Sequence, residues 1–128
     1  MRKILIVDDN PDILQVMQLL LGSRGFLVEV TTDAKQLFPK IECFQPDLIF
    51  LDIFLSGMDG RDLCKQVKSR EDTRHLPIIL FSEYKIKNSS LLESKADVFI
   101  PKPFVIPDLI ISINSLLSDL DDASVMIA

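Results

Sequence analysis

Positive charge is scarce in this chain. Fourteen Lys and Arg stand against 19 Asp and Glu, a formal net charge of -5 over 128 residues. No basic stripe is left to neutralise a run of phosphates, which argues against direct nucleic-acid binding. Cysteine is equally sparse: Cys43 and Cys64 each sit inside an apolar periodic segment. Their spacing fits neither a disulfide framework nor a zinc site, so both are expected as reduced thiols in or near the core. No uninterrupted apolar stretch approaches the roughly 20 residues of a membrane-spanning helix. At the amino terminus Arg2-Lys3 is followed by Ile4-Leu5-Ile6-Val7 and then by two aspartates. That run is too short for a secretory leader, and a cytoplasmic location without membrane attachment is expected. Repeats, low-complexity tracts and a linker into a second domain are missing too.

What is present is apolar: 48% of the residues are hydrophobic, enough for a chain of this length to fold around a core. The reading is one domain over residues 1–120, with 121–128 as a C-terminal tail or the start of a linker. Short apolar runs alternate with amphipathic segments, the signature of βα units. Strands are expected at 3–7, 27–30, 47–51, 78–81 and 98–100. Glu29 interrupts the second run, which marks it as an edge strand. Asn10-Pro11 reads as an N-cap and first helical position, leading a helix through Ile13, Met17, Leu20 and Leu21 that Gly25 ends. Thr32 or Asp33 caps a helix presenting Ala34, Leu37, Phe38 and Ile41, in which Pro39 should force a kink or a tightening. A third helix is built around Leu63, Val67 and Cys64. The segment 84–94 is the weakest helix, with Asn88-Ser89-Ser90 as poor formers and Leu91 and Leu92 as anchors. The last helix presents Ile106, Leu109, Ile110, Ile113, Leu116, Leu117 and Leu120, with Pro107 confined to its first turn. Five strands alternating with five helices fold, through right-handed crossovers, into a parallel α/β sheet covered on both faces.

Four of these runs end on a polar group. Ile4-Leu5-Ile6-Val7 ends on Asp8-Asp9, Leu48-Ile49-Phe50-Leu51 on Asp52, Ile78-Ile79-Leu80-Phe81 on Ser82, and Val98-Phe99-Ile100-Pro101 on Lys102. In a parallel sheet, ligands bind beyond the carboxyl ends of the strands. One aspartate after a strand is ordinarily a helix cap or loop residue; four such groups on one edge argue for a site. Three clustered carboxylates repel one another, and a divalent cation is the simplest compensation. Oxygen donors favour Mg2+, with Mn2+ as the alternative, over zinc. A carboxylate nucleophile, a cation, an ammonium and a hydroxyl together describe a phosphoryl-transfer site.

Along essentially its whole length the chain resembles the receiver domain of bacterial two-component response regulators. The resemblance is carried by Asp8-Asp9, by Leu51-Asp52-Ile53-Phe54-Leu55-Ser56-Gly57-Met58-Asp59-Gly60, by Ser82 and by Lys102-Pro103-Phe104. It implies a flavodoxin-like strand order 2-1-3-4-5 and a signalling switch rather than an enzyme. Asp52 is then the phosphoacceptor. Asp9 and Asp52 bind Mg2+ directly with the backbone carbonyl of Phe54, and Asp8 binds it directly or through water. Lys102 and Ser82 contact the phosphoryl group, Ser82 and Phe99 form the switch pair, and Pro103 follows a cis bond. Phe99 also reads as a core aromatic of the last strand. The implied donor is a sensor histidine kinase or a histidine phosphotransfer protein. The implied output is a changed surface on the fourth helix, fifth strand and fifth helix, which would also serve a phosphorylation-dependent dimer.

Four positions depart from the family pattern. Ser56 stands where proline is usual, Glu83 where a small residue follows the switch serine, and Lys95 where glycine precedes Ala-Asp. Phe54 puts an apolar side chain two residues after the acceptor, where it could shield an acyl phosphate. None of these removes a group the chemistry requires. The rival reading is a receiver-like interaction module that works without phosphorylation. A phosphatase with an aspartyl intermediate would want a second aspartate where Phe54 stands. A flavodoxin-type cofactor domain would want a phosphate-cradling loop where Asp8-Asp9 stand.

Overall fold

The computed structural model describes the backbone of residues 1–127 and the side chains of residues 1–118. The five apolar runs form strands β1 (Lys3–Val7), β2 (Leu27–Thr31), β3 (Leu48–Asp52), β4 (Ile78–Ser82) and β5 (Val98–Pro101). They pair in parallel in the order β2-β1-β3-β4-β5, so β1, β3 and β4 are interior. Interior strands of such a sheet are buried on both faces, and their sequences are accordingly continuous hydrophobic runs. β2 is an edge strand, as Glu29 indicated, and Glu29 pairs with Lys40 at 3.0 Å. The expected strand bounds shift by one residue at β3, which starts at Leu48 and takes in Asp52. Asp47 instead closes the strand start: its carboxylate accepts from the Lys3 backbone N–H at 2.8 Å.

Side-chain alternation divides the interior into two cores. Ile4, Ile6, Leu48, Phe50, Ile79 and Phe81 face helices α1 (Pro11–Ser23) and α5 (Ile106–Ile127). Leu5, Val7, Ile49, Leu51, Ile78 and Leu80 face α2 (Leu37–Phe44) and α3 (Gly60–Ser69). Each such side chain contributes roughly 1.5–3 kcal/mol through burial. Asn10 caps α1 by accepting from the Asp12 N–H, Pro11 takes the first position, and Gly25 adopts φ 92 just past the end. The buried stripe of α1 is Leu14, Met17 and Leu21; Ile13 and Leu20, expected inward, are half-buried. Leu14 matters because it is 3.6-periodic with Met17 and Leu21, whereas Ile13 lies at the border of that stripe.

Pro39 has a structural answer. A 3-10 turn at Ala34–Gln36, capped by Asp33, precedes α2, and Pro39 falls in the first turn of α2. There a missing N–H leaves no helical bond unmade. In the C-terminal half, α4 spans Asn88–Ser94, shorter than the segment 84–94 read from sequence. Leu91 packs inward but Leu92 is 79% exposed, so it is not an anchor. Cys64 is buried, while Cys43 is exposed rather than near the core. Among the described residues of α5 the buried positions are Leu109, Ile113 and Leu117. Leu120 and the expected tail at 121–128 lie outside the residues whose side chains are described. Among the described residues, no helix is long and apolar enough to cross a membrane.

Candidate functional site

The register of the sheet brings β1, β3, β4 and β5 to a common carboxyl edge, and the four polar run-ends meet there. Asp8, Asp9, Asp52, Ser82 and Lys102 line one cleft of about 230 Å³, together with Asn10, Phe54, Glu83 and Tyr84. Asp8 and Asp52 are buried and Asp9 is exposed. The three offer carboxylate oxygens that all lie within 4.8 Å of one another. Lys102 Nζ sits 2.8 Å from Asp8 Oδ2 and 3.6 Å from Asp52 Oδ2, over the Phe81 ring at 4.5 Å. Asp8 Oδ1 also accepts the Asn10 backbone N–H at 2.9 Å.

Burial, and then the charge of Asp8, pushes the Asp52 carboxyl up to about 6; Lys102 and the Phe54 backbone N–H oppose this, and Asp9 adds to it. One ammonium therefore leaves this acid cluster short of positive charge. Three hard oxygen donors around an open cleft suit a divalent cation that prefers oxygen, and they fit Mg2+ better than zinc. The site can hold a cation beside a buried carboxylate that has an ammonium within reach, the arrangement that stabilises charge on a transferring phosphoryl group.

The loop after Asp52 is shaped for close approach. Phe54–Leu55 and Met58–Asp59 form a two-residue antiparallel hairpin, with Gly57 at φ 75 in its turn. The Gly60 N–H then donates to the Ile53 carbonyl at 2.7 Å, and a Cβ at Gly60 would fall on the Asp52 carbonyl oxygen. Glycine lets α3 begin directly beneath Asp52. Asp59 caps that helix and is gripped by the Arg61 guanidinium, which also donates to Ser90 on α4 at 3.0 Å.

Other expected residues lie around this centre. The Ser82 hydroxyl accepts the Tyr84 N–H at 3.0 Å. The Lys102–Pro103 bond is cis. Phe99 is not in the cleft; it is half-buried against the α2–α3 core, in company with Ile86, Leu91 and Ala96. Glu83 is exposed at the cleft wall. Sequence reasoning did not anticipate Tyr84, whose ring meets Phe54 edge-on at 4.9 Å; its place two residues after Ser82, as the one tyrosine of the chain, was the available signal. It also did not anticipate the bond from Ser56 Oγ to Asp9 Oδ2 at 3.1 Å.

Comparison with known proteins identifies the family of the chain. The sequence pattern of the response regulator receiver domain matches residues 4–114. The DNA-binding response regulator MtrA of Mycolicibacterium smegmatis is 29% identical over 126 residues, covering 94% of this chain and 53% of that protein. Response regulator MprA of Mycolicibacterium vanbaalenii is 27% identical over 115 residues, covering 90% of this chain and 50% of that protein. The chain spans about half the length of these curated relatives. The crystal structure of a CheY-like response regulator receiver domain protein from Methanospirillum hungatei is similar with a TM-score of 0.88 at 29% identity, covering 96% of this chain and 98% of that one. The chain belongs to the response regulator receiver domain family, the signalling switches of two-component systems.

Proposed function

We propose that Asp52 accepts a phosphoryl group from a phosphohistidine of a sensor histidine kinase or histidine phosphotransfer protein. The observation that carries this reading is the Asp52 carboxylate itself. It is buried at the end of the central strand, 3.6 Å from the Lys102 ammonium and grouped with two further carboxylates. The ionised carboxylate attacks phosphorus, the phosphorus–nitrogen bond breaks, and the imidazole leaves with a proton from solvent, giving an acyl phosphate on Asp52. Lys102 holds charge on the phosphoryl oxygens. Asp8, Asp9, Asp52 and the Phe54 carbonyl would hold Mg2+, with Mn2+ as the alternative. When bound, the cation neutralises charge on the transferring oxygens.

The product carries about 1.5–2 negative charges at Asp52, up to about one more than the carboxylate it replaces. Ser82 turns its hydroxyl from the Tyr84 N–H to a phosphoryl oxygen, and Phe99 moves into the space released. The face formed by α4, β5 and α5 then shifts between two packings and is read by an output protein or domain, or by a second copy of the chain. The cytoplasm is the working compartment. The phosphorylation-independent module is the second reading, favoured by the Phe54–Tyr84 ring pair and Glu83 at the cleft.

Incubation with Mg2+ and a small phosphodonor, followed by intact mass, separates the two. The expected result is a gain of one phosphoryl group in the parent chain and none in Asp52→Ala. An unmodified parent, beside a control receiver that reacts, rejects the phosphoacceptor reading.

A further inference from the structure

Asp8 and Asp52 are each held in place by groups already described: Asp8 by the Asn10 N–H and Lys102, Asp52 by the Phe54 N–H and Lys102. Asp9 differs. It is exposed on the β1–α1 connection, and two carboxylates in its vicinity repel it toward solvent. The side chain that ties it back is Ser56, whose hydroxyl donates to Asp9 Oδ2 at 3.1 Å across 47 residues of sequence. Ser56 occupies the turn of the hairpin that begins with Phe54, beside Gly57. A proline at this position has no group to donate.

We infer that Ser56 is a positioning residue for the cation site: its hydroxyl orients the Asp9 carboxylate toward Asp8 and Asp52 and fastens it to the hairpin that carries the Phe54 carbonyl. The assignment rests on the metal-binding reading above and deepens it. A hydroxyl donating to one carboxylate oxygen leaves the other oxygen, and the remaining lone pair, for a cation. The bond also draws off part of the negative charge that drives the three acids apart, and it fixes before binding a rotamer that binding would otherwise have to fix. Hydrogen-bonded neighbours of metal ligands act in this way, and their loss typically weakens affinity by about 10–100-fold when the contact is buried. Here both partners are exposed to water, so the loss falls at or below the smaller end of that range. Ser56 thus gives this chain a tie between the loops that follow β1 and β3.

The test is titration of the metal-free full chain with Mg2+, and separately Mn2+, by calorimetry. Ser56→Ala is expected to bind about three- to tenfold more weakly than the parent. Ser56→Thr, which restores a hydroxyl, should bind within about twofold of the parent, and Ser56→Pro should match Ser56→Ala. Thermal midpoints in EDTA provide the control for folding; a metal-free midpoint unchanged in Ser56→Ala, with weakened binding, assigns the effect to Asp9 rather than to the turn. Parent-like affinity in Ser56→Ala, or failure of Ser56→Thr to restore it, overturns the assignment while leaving the metal site standing. Absence of Mg2+ binding by the parent chain overturns the metal site and this assignment together.

Discussion

Burial and the Asp8 charge push the Asp52 carboxyl from 3.8 to about 6, and this has a consequence for stability. A carboxyl whose folded value lies above its unfolded value holds its proton more firmly in the folded chain. Between about pH 4 and pH 6 the folded chain keeps that proton while the unfolded chain has lost it, so stability falls as pH rises through the window and stays low above it. Asp52→Asn removes the penalty. In EDTA at pH 7.5 it should be more stable than the parent by on the order of 1–3 kcal/mol, and the difference should vanish below about pH 4. Urea denaturation at several pH values measures this; parallel pH profiles for the two proteins would contradict it. At this scale the sequence was informative where a residue's role depends on its type and its place at a strand end. Asp8, Asp9, Asp52, Ser82 and Lys102 share a cleft because each stands at the carboxyl end of an apolar strand. Ser56 and Tyr84 act through loop geometry instead, and no periodicity reports where a loop side chain turns.

Helix α4 is the element with the least local support. It has seven residues, its N-cap Lys87 supplies no side-chain bond, and its C-cap Lys95 is forced to φ 63. A left-handed conformation costs a residue with a Cβ about 1–2 kcal/mol, and glycine is the usual occupant. Lys95→Gly should therefore stabilise the chain by about 1 kcal/mol, after allowing for glycine's greater freedom when unfolded. A raised thermal midpoint is the expected reading, and an unchanged or lowered one would show that Lys95 sits there without strain. The poor helix formers Asn88-Ser89-Ser90 signalled this weakness, but they could not show that the helix begins only at Asn88. What holds it comes from elsewhere in the chain: Arg61 on α3 reaches Ser90, and Ser94 is buried and donates to the Leu91 carbonyl. The 3-10 turn before α2 likewise follows from Asp33 and Pro39 acting together, a combination that the helical periodicity of Ala34, Leu37 and Ile41 conceals.

Across the whole molecule, stability is concentrated in β1, β3 and β4, whose core residues are buried on both sheet faces. Hydrogen exchange should therefore be slowest at the amides of 4–7, 48–51 and 78–81. It should be faster in edge strands β2 and β5 and fastest in α4, where few buried apolar groups support the backbone. Uniform protection across all five strands and α4 would argue against this gradient. The architecture was legible because strand and helix periods alternate along the chain, and because Glu29 marks an edge that an interior strand could not tolerate. The partner of Lys102 was less so: strand-end placement puts the lysine on one edge with three carboxylates, and the fold sets it 2.8 Å from Asp8 and 3.6 Å from Asp52.

Lys102 and Asp8 are 94 residues apart in sequence and 2.8 Å apart in the fold. During synthesis the acidic part of this cluster therefore leaves the ribosome long before the ammonium that tempers it. A chain that stops short of β5 carries the repulsion without the counter-ion. The assembled cleft is in this sense a certificate of completion: only a finished sheet gathers the three carboxylates around the lysine that tempers them.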